Sequence, residues 1–389
     1  MKILITSDWY APTINGVVTS VLNLQRELAG LGHEVRVLTL SPSAHSYRVG
    51  SVTYIGAVSA EKIYPGARVR TALSADLLQD LAKWKPDIIH SQCEFSTFRL
   101  ARKLSAATGA PIVHTYHTVY EDYTHYFSPS RRWGRKAVAT FSRWVVAQTA
   151  AVIAPTAKVR ELLARYEVVR PIHVIPTGID LDRFTVPRDQ AHLTALRRSL
   201  GIPDGQFVLS YVGRLAEEKN IGELLQNLSD LNRKDVTLLL VGDGPYRGEL
   251  TKQVAALQLE QQVRFTGMVP PEEVTDYYRL GDLFVSASSS ETQGLTYLEA
   301  LAAGVPALCR RDDCLTGVVT DGVNGWQFRD GEEFRGYVSR FLGDEALRCA
   351  MSQNATETAL RNFSARAFAV RAAELYTWIL ERAAGADAA

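Results

Sequence analysis

Two glutamates, Glu291 and Glu299, stand eight residues apart in the stretch Glu-Thr-Gln-Gly-Leu-Thr-Tyr-Leu-Glu. A small-residue, helix-compatible run continues through Ala-Leu-Ala-Ala to Gly304 and Pro306. A glycine just before a helix lets backbone N–H groups approach a phosphate, and the helix N-terminus adds partial positive charge. The amides of Gly294, Leu295 and Thr296 are therefore candidates for holding a diphosphate. A carboxylate inside the first helical turns, Glu299, can accept hydrogen bonds from a ribose diol. The loop carboxylate Glu291 can reach the hydroxyls of a sugar. Together these parts describe a cradle for a sugar nucleotide, although each alone also fits an ordinary loop and helix with two solvated glutamates.

Further residues fit the same chemistry. The apolar run 207–212 leads into Gly213-Arg214-Leu-Ala-Glu-Glu-Lys219-Asn220. Two cations leaving a strand end can neutralise a diphosphate, Arg214 as a fork for two oxygens and Lys219 as a point charge. Gly16, in Ala11-Pro-Thr-Ile-Asn15-Gly16, permits a sugar or phosphate to approach backbone, or is simply a turn residue. That loop is not the Gly-x-Gly-x-x-Gly fingerprint, which disfavours a nicotinamide or flavin enzyme. Met268 lies in the turn after 263–266, where backbone groups could read the edge of a base. His114-Thr-Tyr-His117 has a spacing of three on a strand, which is poor for shared zinc ligation because alternate residues face opposite ways. His114 is expected to be a buried, satisfied residue.

The elements that must position these groups read as two α/β domains. Segments 2–6, 34–40, 87–91, 111–116, 151–154 and 173–176 read as buried strands, and helical-period segments alternate with them. Val17, Val21, Leu24, Leu28 and Leu31 mark the first helix, which Gly30 and Gly32 end. The pattern restarts with strands 207–212, 236–241, 263–266 and 282–286 and helices near 221–231, 246–257 and 272–278. Strand–helix–strand repetition implies parallel, doubly wound sheets, whose ligands sit at the carboxyl ends of the strands. The expected fold is α/β, with two Rossmann-like parallel-sheet domains facing across a cleft. The expected domains are 1–185, facing acceptor and membrane, and 186–364, binding the nucleotide sugar.

The Glu-x7-Glu spacing resembles the signature of the retaining glycosyltransferases of family 4, which have the glycosyltransferase B fold. The wording Glu-Thr-Gln-Gly-Leu-Thr-Tyr-Leu-Glu-Ala-Leu-Ala resembles the branch of 1,2-diacylglycerol 3-alpha-glucosyltransferases. Many relatives have Pro-Phe-Gly after the first glutamate, whereas this chain has Thr292-Gln293-Gly294. Asn15-Gly16, where relatives often carry two glycines, fits the same branch. The resemblance implies that a last helix, near 365–382, crosses back so that 365–389 joins the N-terminal domain. It implies a UDP-hexose donor with Arg214 and Lys219 on the diphosphate, Glu291 on the hexose and Glu299 on the ribose. It also implies uracil near Met268 and His117 at the hydroxyl on the primary carbon. His125 and Tyr126 are candidates for the acceptor pocket. Asp180-Leu-Asp182 has the outline of a metal-binding Asp-x-Asp, but relatives carry similar linker residues without metal. Neither metal nor cofactor is expected, only the donor substrate.

Composition agrees with this reading. A chain of 389 residues, 46% hydrophobic and 22% charged, is sized for two globular domains. Its first residues meet a charge too early for a secretion signal, and no run of 18 apolar residues occurs. Cys93, Cys309, Cys314 and Cys349 lack metal or redox spacing and read as reduced cytosolic thiols. Net charge is +1, but residues 1–185 carry +8 and residues 186–389 carry −7. Such asymmetry points to an anionic partner for the first half. The segment Arg131-Arg132-Trp133-Gly-Arg135-Lys136, continuing to Phe141, Arg143 and Trp144, supplies an aromatic stripe with a basic rim. That pattern fits an interfacial helix on an anionic membrane rather than a nucleic-acid contact, although a core-facing helix with a solvated basic side has the same pattern. Lys62, Arg68 and Arg70 could extend the patch.

The expected protein is therefore a peripheral enzyme on the cytoplasmic face of the membrane, moving a hexose, glucose first, from a UDP-sugar to diacylglycerol with retention. Rival expectations are another acceptor or donor, such as phosphatidylinositol with GDP-mannose, a second sugar on a glycolipid, or a sugar-nucleotide epimerase of similar architecture.

Overall fold

The structure, a computed structural model, describes residues 1–60, 68–71, 74–121, 130–186 and 189–387. The chain divides into one unit of Met1–Gly178 with Ala365–Ala389, and a second of Ile179–Ser364. In the first, the strands are β1 (Lys2–Ser7), β2 (Glu34–Leu40), β3 (Tyr47–Val49), β4 (Val52–Ile55), β5 (Ala57–Ser59), β6 (Arg68–Arg70), β7 (Ile88–Ser91), β8 (Ile112–Thr115), β9 (Ala151–Ala154) and β10 (Ile172–Val174). Eight of them form one sheet in the order β10-β9-β8-β7-β1-β2-β4-β3, while β5 and β6 pair separately. The large sheet is parallel except at its β3–β4 edge.

In the second unit, β11 (Phe207–Val212), β12 (Val236–Val241), β13 (Val263–Gly267), β14 (Leu283–Ser286), β15 (Ala307–Arg310) and β16 (Gly325–Phe328) order as β13-β12-β11-β14-β15-β16. All pairs are parallel. Counting from β11, this is the 3-2-1-4-5-6 order of a dinucleotide-binding sheet, with its switch point between β11 and β14. The first sheet has the corresponding point between β1 and β7. Loops leaving these four strands therefore diverge to opposite faces and open a crevice at the carboxyl edge of each sheet.

The runs become strands because both faces are covered. β12 is buried at all six positions, and β1 at five of six. Helices fill the layers. Gly16–Gly30 starts where Asn15 Oδ1 accepts the Val18 N–H at 2.9 Å, and presents Val21, Leu24 and Leu28 to Ile3 and Ile5. The C-terminal helix Ala365–Asp387 adds Phe368, Ala369, Ala372, Leu375, Tyr376 and Ile379 to that same core. The division after Gly178 falls short of the expected 185 for a packing reason. Ile179 bridges Ser364, its N–H donates to Phe363 O, and Ile179 and Phe184 lie in the second unit's core. No helix among the described residues is long and apolar enough to cross a membrane.

The C-terminal helix is tied to the first sheet by a buried polar contact as well. Tyr376 Oη lies 2.6 Å from His90 Nδ1, and both residues are 0% exposed. Tyr376→Phe leaves a buried imidazole nitrogen without its partner, a loss of about 1–3 kcal/mol. A lowered thermal midpoint with unchanged secondary structure is expected by circular dichroism; an unchanged midpoint would show that this contact does not hold the helix.

Candidate functional site

The second unit gathers most of the expected donor residues at its switch point. β11 ends at Val212, and the chain passes through Gly213 and Arg214 to a 3-10 turn, Glu217–Lys219, before the helix Ile221–Leu231. β14 ends at Ser286 and passes through Glu291 to the helix Leu295–Ala302. Because β11 and β14 are neighbours, these loops meet. Lys219 Nζ lies 2.5 Å from Glu291 Oε1, with the two side chains 17% and 18% exposed. Ser290 Oγ also donates to Glu218 O at 3.4 Å. Burial opposes the lysine's charge, yet Glu291, followed by Tyr211 and Glu218, raises its pKa above the ordinary value. The lysine is held as a cation.

Arg214 pairs with Glu218, whose side chain is only 5% exposed. Beneath the loop, the buried Tyr211 donates its hydroxyl to Arg214 O at 3.1 Å. The turn after β12 packs backbone to backbone on this loop: Leu215 N donates to Asp243 O, and Tyr246 N to Leu215 O, each at 3.0 Å. A Cβ at Gly242 would stand 2.1 Å from Gly213 O, and one at Gly244 2.3 Å from Leu215 O. Both glycines are needed for that approach.

Gly294 caps the second helix with φ +71°, and no side chain caps it. A Cβ there would come within 2.4 Å of the Tyr297 ring. The first turn of the helix therefore presents backbone amides of Leu295 and Thr296 that no side chain claims as a cap. One turn on, the half-buried Glu299 accepts from Tyr278 Oη at 2.7 Å. Burial raises its pKa, against the Tyr278 hydrogen bond and Arg183. Met268 is 60% exposed in the turn after β13, where Gly242 N donates to Gly267 O at 3.1 Å. Arg214, Lys219, Glu291, Gly294, Leu295, Thr296, Glu299 and Met268 thus all sit at the carboxyl edge of one sheet or in the helix that follows it.

The first unit carries the other set. Gly16 opens the helix after β1 and is exposed. His117 follows β8, with Nε2 2.6 Å from Gln92 Oε1. Burial, then the neighbouring His114, hold its pKa down to about 3, so the ring is neutral. His114 is buried as expected, with Nε2 3.2 Å from Glu94 Oε1, but its Nδ1 has no partner among the described residues. It is only half satisfied. Glu94 also accepts from Tyr120 Oη at 2.5 Å. Asp8, at the end of β1, accepts from the amides of Thr97 and Ser96 at 2.7 and 3.2 Å, and burial raises its pKa to about 6.

The helix Arg131–Ala147 turns Val138, Ser142, Val145 and Val146 inward. Its aromatic stripe is divided: Trp133 is 71% and Trp144 42% exposed, while Phe141 packs against the core and Trp144 lays an edge contact on the buried Phe98. Phe141 is half-buried and stacks with Trp144 and with the exposed Phe95. Arg102 lies over Trp144 and Lys136 over Trp133. Arg132, Arg135 and Lys136 are exposed. The basic rim is partly paired, Arg135 with Glu121 and Arg143 with Glu167. Arg131 begins the helix. Arg68 donates to the carbonyls of Ser41 and Pro42 at the side of the first sheet. Lys62, His125 and Tyr126 lie outside the described residues. Among the described residues, no three His, Cys, Asp or Glu side chains gather as metal ligands, and Asp180 and Asp182 join no such group.

Several site residues escape sequence reasoning. Glu218 and Tyr278 matter only as partners of Arg214 and Glu299, which no local spacing announces. Gln92, Glu94 and Phe95 directly follow a strand that was legible. The rule that ligands gather at strand ends is the signal that could find them, and only strand order shows that they border a switch point.

Two doubly wound parallel domains, the second with a cationic, glycine-bearing crevice, have the architecture of the glycosyltransferase B fold. The models for "Glycosyltransferase Family 4" and "Glycosyl transferases group 1" match residues 14–183 and 194–358. Alpha-monoglucosyldiacylglycerol synthase of Streptococcus pneumoniae is 34% identical over 97% of this chain and 85% of its own length. The synthase of that name from Acholeplasma laidlawii is 32% identical over 98% of each. The crystal structure of Anabaena HepE in complex with UDP-glucose superposes with a TM-score of 0.76 at 19% identity, covering 97% of this chain and 99% of its own, which is a likeness of fold. The chain belongs to glycosyltransferase family 4.

Arg214 and Lys219 are held at the crevice by carboxylate partners. If they meet the charge of the departing diphosphate, Arg214→Ala and Lys219→Ala lose turnover by roughly a hundredfold or more each, since such contacts supply a few kcal/mol in the transition state. Steady-state kinetics of the folded variants is the check, and near-normal turnover in both would remove them from that role.

Proposed function

We propose that this glycosyltransferase moves glucose from UDP-glucose to diacylglycerol with retention of configuration, while resting on an anionic membrane. The acceptor half of this reading is carried by one observation, the outward-facing aromatic and basic surface of the helix Arg131–Ala147. A soluble acceptor gives no reason to expose Trp133, Trp144 and Phe95 beside Arg102, Arg132 and Lys136. Tryptophan and phenylalanine with snorkelling cations suit the headgroup layer, where the hydroxyl of diacylglycerol lies. Full-length similarity to two alpha-monoglucosyldiacylglycerol synthases supports the same acceptor and the same sugar.

For the donor, the amides of Gly294, Leu295 and Thr296 with Arg214 and Lys219 hold the diphosphate. Glu299 takes the ribose diol, the turn at Met268 lies by the uracil, and Glu291 takes hexose hydroxyls. His117 takes the hydroxyl on the primary carbon, and Gly16 allows its loop close to the donor. No carboxylate serves as covalent nucleophile. The glycosidic carbon passes through an oxocarbenium-like state as its bond to the diphosphate breaks. The acceptor hydroxyl attacks from the same face and gives its proton to the departing phosphate oxygen. The charge that grows on the diphosphate is met by groups already in place, the preorganised electrostatics on which such catalysis depends. Two cationic side chains and a helix start occupy the role that a divalent ion plays elsewhere.

A screen of UDP-glucose, UDP-galactose and GDP-mannose against liposomes of diacylglycerol, phosphatidylinositol and glucosyldiacylglycerol tests the reading. UDP-glucose with diacylglycerol is expected to give a lipid-linked sugar, at full rate in excess chelator. Transfer to another lipid, or activity that disappears with chelator and returns with magnesium or manganese, would contradict it.

The membrane contact makes a separate expectation. Each cation near an anionic surface contributes on the order of 1 kcal/mol, and salt screens this over a Debye length of about 8 Å at physiological ionic strength. Reversing Arg131, Arg132, Arg135 and Lys136 to Glu should abolish sedimentation with anionic liposomes while donor hydrolysis in solution survives. Unchanged sedimentation would refute the surface.

A further inference from the structure

Gln92 is the first residue after β7, beside the switch point of the first sheet, and is 1% exposed. Its backbone N–H is anchored on Thr6 O at 2.8 Å, and its Oε1 lies 2.6 Å from His117 Nε2. An amide oxygen only accepts, so the nitrogen facing it must carry hydrogen. The ring is neutral, because burial and then His114 oppose its protonation. A neutral imidazole carries one N–H, and here that hydrogen is spent on Gln92. The other nitrogen, Nδ1, is left as a bare acceptor.

We propose that Gln92 is a positioning residue that fixes His117 as the Nε2–H tautomer, so that His117 accepts a hydrogen bond from the hexose hydroxyl at Nδ1. The second half of this rests on the assignment of His117 to the sugar; the first half does not. The preference that follows is chemical. A donor whose sugar carries a primary hydroxyl can satisfy Nδ1, whereas one lacking the hydroxymethyl group leaves it empty. A merely structural role for Gln92 predicts otherwise. Its Nε2 is buried with no partner among the described residues, so Gln92→Met, of similar volume, removes an unsatisfied donor. It also leaves the His117 Nε2–H without its acceptor, so a lower folding midpoint follows from either role, and only the tautomer and the donor preference separate them.

The test uses the full chain labelled with 15N-histidine, with His117→Asn identifying the His117 signals among those of the eight histidines. The wild-type enzyme is expected to show a protonated Nε2 and a bare Nδ1. Gln92→Met is expected to lose that bias while remaining folded. Its kcat/KM preference for UDP-glucose over UDP-xylose is expected to fall by about tenfold, the worth of one net hydrogen bond. A wild-type Nδ1–H tautomer would overturn the proposal, as would a Gln92→Met variant with tautomer and preference both unchanged. Nε2–H in a wild-type enzyme that uses both donors equally would instead overturn the placement of His117 at the sugar.

Discussion

The contact between Lys219 and Glu291 is the interaction from which the proposed donor site is built. It joins the loop after β11 to the loop after β14, the two strands between which the second sheet changes direction. A lysine this enclosed would ordinarily tend to lose its proton. The glutamate reverses that tendency, and in doing so it fixes its own carboxylate beside the helix start at Gly294. Arg214 with Glu218 repeats the arrangement at the other side of the same loop. Carboxylates therefore hold both of these cations in fixed orientations at the crevice. Tyr211 and Tyr297 support them from beneath, one under Arg214 and the other against Gly294.

The first unit solves a different problem with the same scaffold. Among the described residues its switch point carries no comparable cluster of cations. Instead Asp8, Gln92, Glu94, His114 and Tyr120 form a buried polar group at the ends of β1, β7 and β8 and the segments that follow them. Phe95, next in sequence to Glu94, lies in edge contact with Tyr120 and stacks on Phe141. The polar group and the exposed aromatic surface are thus contiguous. A lipid acceptor needs that combination, since its hydroxyl is polar and the rest of it is not.

Much of this architecture is legible in the chain. Strands buried on both faces appear as continuous apolar runs, so β1, β2, β7 to β9, β11, β12 and β14 can be placed from those runs, and the edge strands β10 and β13 from the apolar residues that alternate in them. β3 to β6 are three or four residues long and lie at an edge or outside the main sheet, and β15 and β16 are short runs beside Pro306 and Gly325. Such segments carry no uninterrupted apolar run, as Tyr47-Arg48-Val49 and Arg68-Val69-Arg70 show. Glu291, Glu299, Gly294, Arg214 and Lys219 are legible because each stands at a strand end or helix start. What they touch is not legible. That Lys219 meets Glu291 depends on β11 and β14 being neighbours, and that Trp133 faces outward depends on Val138 and Val145 facing inward. Both are properties of tertiary packing.

The central claim is that Lys219 and Glu291 act as one unit in binding and turning over the donor. A double-mutant cycle of Lys219→Met and Glu291→Gln, read in kcat/KM for UDP-glucose, measures this directly. Residues that act together lose function non-additively. The double variant is expected to be no worse than about the poorer single variant. Losses that multiply would show that the two side chains work independently, and would contradict the account.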